Sequence, residues 1–163
     1  MSQYSFDHSE RYCVFQDGDD WYGIPALAVS SVVPVPEITR IPLSDPVLEG
    51  ICHIRNEFLP VINLQSLAQS QYATLASSEQ QLLVLLGPSG RWGLLIDQVI
   101  ALAALEASLS ASNDQHDLWS QVTLGSASYQ NQILKLLDPT VMYQYASKLL
   151  EMYWQCEQSQ FVN

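Results

Sequence analysis

The sequence predicts an all-β protein built from two similar small units and closed by one C-terminal helix. Three observations predict it. Short runs of β-branched and aromatic residues alternate with turns containing Gly, Asp or Pro. The order of these runs recurs about 70 positions later in the chain. Beyond Asp138, apolar residues recur at helical spacing.

Taken in order, residues 11–16 form a β-favouring run. Asp17-Gly18-Asp19-Asp20 follows as a turn in which glycine can take a positive φ, and Trp21-Tyr22-Gly23-Ile24 resumes the strand chemistry. The three together predict a hairpin. Pro34 and Pro36 punctuate residues 32–35, and Ile38-Thr39-Arg40-Ile41 alternates before Pro42. Residues 47–54 and 58–64 are two further apolar runs, parted by the polar Arg55-Asn56-Glu57. Residues 69–81, rich in Ser, Gln and Ala without periodicity, predict a linker or loop. Residues 81–86 and 91–96 predict a second hairpin around Gly87-Pro88-Ser89-Gly90. Residues 114–128, with His116 and Trp119, are expected to be a loop. In the tail, Val141, Tyr145, Leu149 and Met152 would share one helix face, with Asp138 as its cap and Pro139 in its first turn.

The second half repeats the first. Val14-Phe15 precedes Val84-Leu85 by 70 positions, and Tyr22, Gly23 and Val29 precede Trp92, Gly93 and Val99 by the same offset. Residues 56–63 resemble residues 131–138 at an offset of 75. Two copies of one β unit are the expectation.

Composition narrows the function. A chain of 163 residues suits one domain or two small lobes sharing a core, and a hydrophobic fraction of 48% is enough to build that core. Acidic residues number 17 against six basic ones, for a net charge of -11, and the basic residues are scattered. Nucleic-acid binding needs a clustered cationic footprint and is not expected. Cys13, Cys52 and Cys156 form no CxxC pair, and the first two lie in apolar runs, which points to a reducing compartment. Met1-Ser2-Gln3-Tyr4 lacks the features of a signal peptide, and no apolar stretch approaches membrane-spanning length. A cytoplasmic protein without direct membrane insertion is expected.

Catalytic patterns are missing. His8, His53 and His116 stand in no HxH, HExxH or HxxxH arrangement, so no metal is expected. Cys52 and His53 are adjacent, but neighbours on a strand point to opposite faces and cannot form a dyad. Asp17-Gly18-Asp19-Asp20 lacks the ligand spacing of a calcium loop, and Gly87-Pro88-Ser89-Gly90 lacks the ending of a phosphate-binding loop. No catalytic residue, cofactor or enzyme activity is expected. Trp21, Tyr22 and Trp92 fit a barrel core or rim. Arg55, at the polar break between two apolar runs, should sit at a strand end, where an arginine is either solvated or an interface contact.

The order of these motifs resembles the CheW-like domain of chemotaxis coupling proteins, shared with the regulatory domain of CheA kinases. Tyr12-Cys13-Val14-Phe15 with Trp21-Tyr22-Gly23-Ile24 is similar to the family's opening hairpin. Ile38-Thr39-Arg40-Ile41-Pro42 resembles its threonine-arginine-hydrophobic-proline segment. Gly50-Ile51-Cys52-His53-Ile54-Arg55-Asn56 lies where the family usually has Gly-Val-x-Asn-Leu-Arg-Gly. Leu59-Pro60-Val61-Ile62-Asn63-Leu64, residues 92–99 and residues 133–138 resemble three later strands. The resemblance runs from about residue 11 to residue 142. His53 stands for the usual asparagine, Asn56-Glu57 for glycine and its follower, and Ser31 where an acidic residue is common.

The resemblance implies two intertwined SH3-like five-stranded β-barrel lobes with a C-terminal helix. The domain would span 11–143, with lobes of roughly 11–68 and 81–143 open to exchange of strands, and 144–163 would be helix and tail. It implies a non-enzymatic adaptor coupling a CheA-type histidine kinase, through its regulatory domain, to a chemoreceptor cytoplasmic tip. Arg55, Val29, Ser31, Ile54 and Asn56 would face the receptor, and the kinase-binding residues are not identified. The alternative within the family is a module of another array, controlling pili, gliding or a second messenger. From a different class, the alternative is an enzyme with a small-molecule pocket between the lobes, which converging polar residues in that groove would favour.

Overall fold

The computed structural model describes residues 10–42, 45–68, 79–109 and 118–161, without side chains at 118–119 and 152–161. The first half forms β1 (Arg11–Asp17), β2 (Asp20–Pro25), β3 (Val29–Pro34), β4 (Leu48–Ile54), β5 (Glu57–Asn63) and the short helix α1 (Leu64–Leu67). A 3-10 turn at Ala26–Ala28 joins β2 to β3. The second half forms β6 (Gln81–Gly87), β7 (Gly90–Ile96), β8 (Gln98–Ala104), β9 (Ser108–Leu109), α2 (Leu118–Val122), β10 (Thr123–Tyr129), β11 (Gln132–Leu137) and α3 (Pro139–Phe161).

The strands make two sheets that do not follow the halves of the chain. One sheet runs β8-β1-β2-β11-β10-β9, and the other β3-β6-β7-β5-β4. The opening hairpin thus sits among strands of the second half, and the β6–β7 hairpin among strands of the first. The exchange is symmetric. β1 pairs antiparallel with β8 as β6 does with β3, and β2 lies parallel to β11 as β7 does to β5. Both offsets read from the sequence have a structural basis: 70 relates the hairpins, and 75 relates β4–β5 to β10–β11. Caps obey the repeat as well. The Asn63 side chain accepts from the Ser66 N–H at 3.1 Å, and Asp138 accepts from Thr140 at 3.0 Å to start α3 at Pro139.

Each lobe has its own core, and a third lies between them. Tyr12, Val14, Leu105, Ala127, Leu134 and Leu136 fill the first lobe. Cys52, Leu59, Val61, Leu82, Val84 and Leu95 fill the second. The shared core joins Phe15, Ile24, Leu83, Leu85, Trp92 and Leu94 to Met142 and Ala146 of α3. Along β1 and β6, four consecutive buried residues serve different cores by turns, so Val14 packs in one lobe and Phe15 in the shared core. Each fully buried Leu, Ile, Val or Phe contributes about 1.5–3 kcal/mol relative to exposure.

Two-lobed β architecture and the C-terminal helix match the expectation, but several details differ. One sheet has six strands rather than five, because the two-residue β9 adds to the edge of β10. Neither sheet closes by pairing of its edge strands among the described residues. The loop expected over 114–128 is, from 118 onward, helix α2 and strand β10; residues 114–117 lie outside the described residues. β10 was hard to read because its residues, Thr-Leu-Gly-Ser-Ala-Ser-Tyr, are small and polar. Its pairing with β11, which buries Gly125 and Ala127, imposes the strand. Residues 38–41 form one bridge, Thr39 to Ile51, rather than a strand. Pro36 and Pro42 flank that segment and cannot donate to a ladder. Of the expected linker, 69–78 lie outside the described residues, and Gln81 already belongs to β6.

Candidate interaction surface

The β4–β5 hairpin places Arg55 and Asn56 at a two-residue turn closed by the pairing of Ile54 with Glu57. Both lie in the left-handed region, Arg55 at φ 48 and Asn56 at φ 66. Two successive positive φ values are the signature of the turn that suits strand twist, and Gly or Asn tolerates them best. Gln130 (φ 47) and Asn131 (φ 63) repeat the turn 75 residues later. The turn projects Arg55 into solvent from a rigid base. Arg40 lies 3.7 Å from Glu49 and Arg91 3.6 Å from Glu57, whereas Arg55 makes no ion pair among the described residues.

The five residues expected to face a receptor share one end of the second sheet but not one edge. Val29 opposes Leu85 and Ser31 opposes Val84, which puts the start of β3 beside the end of β6. Parallel pairing of β5 with β7 puts Glu57 and the Arg55–Asn56 turn at that same end. β3 and β4 are the two edges of the sheet, four strand spacings apart, roughly 19 Å if the sheet were flat. Ile54, Arg55 and Asn56 therefore form one group, and Val29 with Ser31 another. Val29 and Ser31 are half-buried.

Between the groups lies a surface that sequence reasoning missed. Phe58 is 77% exposed, its ring 4.9 Å from that of His53, and Leu86 is 51% exposed. Phe58, Leu86, Pro60, Arg91 and Tyr143 line a depression of about 560 Å³. The missed signal was the phase of β5. Leu59 and Val61 face inward, so period two sends Phe58 outward despite its hydrophobicity. Ile133, 75 positions on, is 76% exposed for the same reason.

Among the described residues, the Cys52–His53 neighbours form no dyad and no metal-ligand cluster gathers. Cys52 is buried while His53 is exposed on Phe58, so the neighbours do point apart. Burial pushes the Cys13 and Cys52 thiols up from their ordinary pKa, away from the nucleophilic thiolate. His8 and His116 lie outside the described residues, and among those described no three His, Cys, Asp or Glu gather as metal ligands. Trp92 and Tyr22 are buried and Trp21 half-buried, as core and rim. The cleft where the lobes meet is polar, a cavity of about 400 Å³ lined by Gln16, Glu79, Gln80, Asp97 and Gln98. Its amides bond within the cleft: Gln98 donates to Gln16 at 3.1 Å, and Gln80 to Asp97 at 3.3 Å. These polar residues converge as the enzyme alternative expects; among the described residues lining the cleft there are two carboxylates and three amides but no Ser, Thr, Cys, His or Lys. Replacing Cys52, His53 and His116 together with alanine should leave kinase coupling largely intact in a folded variant. Loss of coupling with an intact circular dichroism spectrum would return a thiol or histidine to the site.

Residues 11–146 match the family described as CheW-like domain. The chain belongs to the CheW-like domain family. It is similar to the chemotaxis protein CheW of Treponema pallidum (strain Nichols), at 30% identity over 102 residues. That match covers 61% of this chain and 60% of the Treponema protein. It is similar in fold to the crystal structure of the scaffolding protein TtCheW from Thermoanaerobacter tengcongensis. There the TM-score is 0.73 at 19% identity, covering 83% of this chain and 93% of the other. Asn56 stands where the sequence resemblance leads one to expect glycine. At φ 66, asparagine is after glycine the residue best tolerated, so it suits this turn.

No helix among the described residues is long and apolar enough to cross a membrane.

Proposed function

We propose that the chain is a non-enzymatic cytoplasmic scaffold that couples a CheA-type histidine kinase to the cytoplasmic tip of chemoreceptors. The observation that carries this reading is the match of residues 11–146 to the CheW-like domain. The relatives support it through their names, a chemotaxis protein and a scaffolding protein. Residues 11–143 would act as the coupling unit, with 144–163 as its tail.

Arg55 is the proposed receptor anchor, with Ile54 and Asn56 beside it and Val29 and Ser31 across the sheet end. A long cation on a rigid turn, with no ion-pair partner among the described residues, suits a partner carboxylate. The exposed Phe58 and Leu86 are the kind of apolar contact that another protein covers, which favours a binding module over an enzyme.

The test is titration of the purified chain against a kinase regulatory domain, a receptor tip, and both together. Simultaneous binding of the two is the expected result, and failure to bind either sinks the proposal. Binding of the kinase domain alone would instead support a module of an array other than chemotaxis.

A further inference from the structure

The geometry points to a proton-dependent latch at the joint between the two lobes, in which the buried Asp17 carboxyl holds a proton beside Asp97, where the chain passes from β7 of one sheet to β8 of the other. Asp17 ends β1 in the six-stranded sheet. Asp97 is the single residue between β7 and β8, where the chain passes from the five-stranded sheet into the six-stranded one. The joint is tied by named bonds. The Gly18 N–H donates to Asp97 Oδ2 at 2.8 Å, and the Asp97 N–H donates to the Gln16 carbonyl at 3.1 Å. Gln80 donates to Asp97 Oδ1, and Gln65 of α1 hydrogen-bonds Asp17 from the second lobe.

Asp17 is 5% exposed, and its Oδ1 is buried with no hydrogen-bond partner. A buried carboxylate with an unsatisfied oxygen is costly, whereas a neutral carboxyl sharing its hydrogen with a neighbouring carboxylate is not. The groups around Asp17 supply no counter-charge. Asp20 faces it across the hairpin, Asp19 sits in the turn, and Tyr22 follows on β2. Glu79 and the amides of Gln16, Gln80 and Gln98 complete the cleft with Asp97, and no lysine or arginine lines it. Burial first, and the Asp97 charge second, push the Asp17 carboxyl up from 3.8 to about 7.

The sign follows from linkage. The folded chain holds a proton that the unfolded chain releases near 3.8, so the stabilisation is complete below that pH and is lost as pH rises through about 7. Between those limits the folding constant should fall by up to about tenfold per pH unit, the reverse of ordinary acid denaturation. Above pH 7 a charged Asp17 stands buried at the joint, which keeps the Gly18, Gln16 and Gln80 bonds to Asp97 but loses the proton.

Urea unfolding of the whole chain between pH 5 and pH 8.5 tests this. Wild type should lose stability as pH rises, and Asp17→Asn, which keeps the shape without the charge, should flatten the profile and be the more stable at pH 8. A wild-type profile that is flat or rises, or a variant that keeps the full fall, overturns the latch. Should Asp17→Asn fail to fold, carboxyl carbon resonances of wild type decide: an Asp17 midpoint near neutrality supports the latch, and one near 4 rejects it. Hydrogen exchange at the Gly18 and Asp97 amides, beyond its intrinsic pH dependence, should accelerate through the same window.

Discussion

Arg55→Ala is expected to weaken association with a receptor's cytoplasmic tip by about 1–3 kcal/mol, roughly 5- to 150-fold in Kd, while kinase association changes little. The side chain is exposed and makes no ion pair among the described residues, so its removal takes nothing from the fold. Arginine and alanine bear a φ of 48 about equally badly, so the backbone strain cancels between them. Arg55→Lys should recover only part of the affinity, because an ammonium cannot reproduce a two-pronged contact with a carboxylate. Paired titrations of wild type and both variants against the receptor tip and the kinase regulatory domain measure this. Equal losses for both partners, or none for the receptor, would reject Arg55 as the receptor anchor.

Gly50→Ala should destabilise the fold by about 3 kcal/mol. Gly50 sits at φ 153, where an L side chain is strained at a cost of order 1–3 kcal/mol. A Cβ there would also collide with the Thr39 carbonyl oxygen and come within 2.7 Å of Ile38 Cγ2, and such overpacking costs about 1–3 kcal/mol more. The collision falls on backbone that cannot move freely. Thr39 is fixed to Ile51 by bonds of 2.8 and 2.9 Å in both directions. Gly90→Ala is the control, since its φ is 130 but nothing lies within 4 Å of its Cβ position. Chemical denaturation should therefore place Gly50→Ala well below Gly90→Ala. Equal losses would mean that only the backbone angle matters and the Thr39 contact is slack.

Much of this molecule was legible because its information is local. The hairpins around Gly18 and Pro88-Ser89 and the Asp138 cap with Pro139 each depend on residues a few positions apart. The repeat was legible for the same reason, since both copies need the same turns at the same places. β10 was not, because Gly125, Ser126, Ala127 and Ser128 have little strand preference of their own and take their conformation from β11. Arg55 could be assigned to a strand end from its polar neighbours, but not its positive φ.

By itself, then, the sequence determined the β class, the two-copy plan, the C-terminal helix and the motifs that mark the family, all set by short-range periodicity and turn chemistry. The tertiary structure alone decided which strands pair across the halves, because exchange depends on which apolar faces bury together rather than on any one segment. It also decided that Val29 and Ser31 stand on the opposite sheet edge from Arg55, and that Phe58 and Leu86 lie exposed between them. Asp17 and Asp97, 80 positions apart (97 − 17), meet only because the chain changes sheets at Asp97. No local pattern can signal a carboxyl pair whose chemistry comes from burial at a joint between lobes.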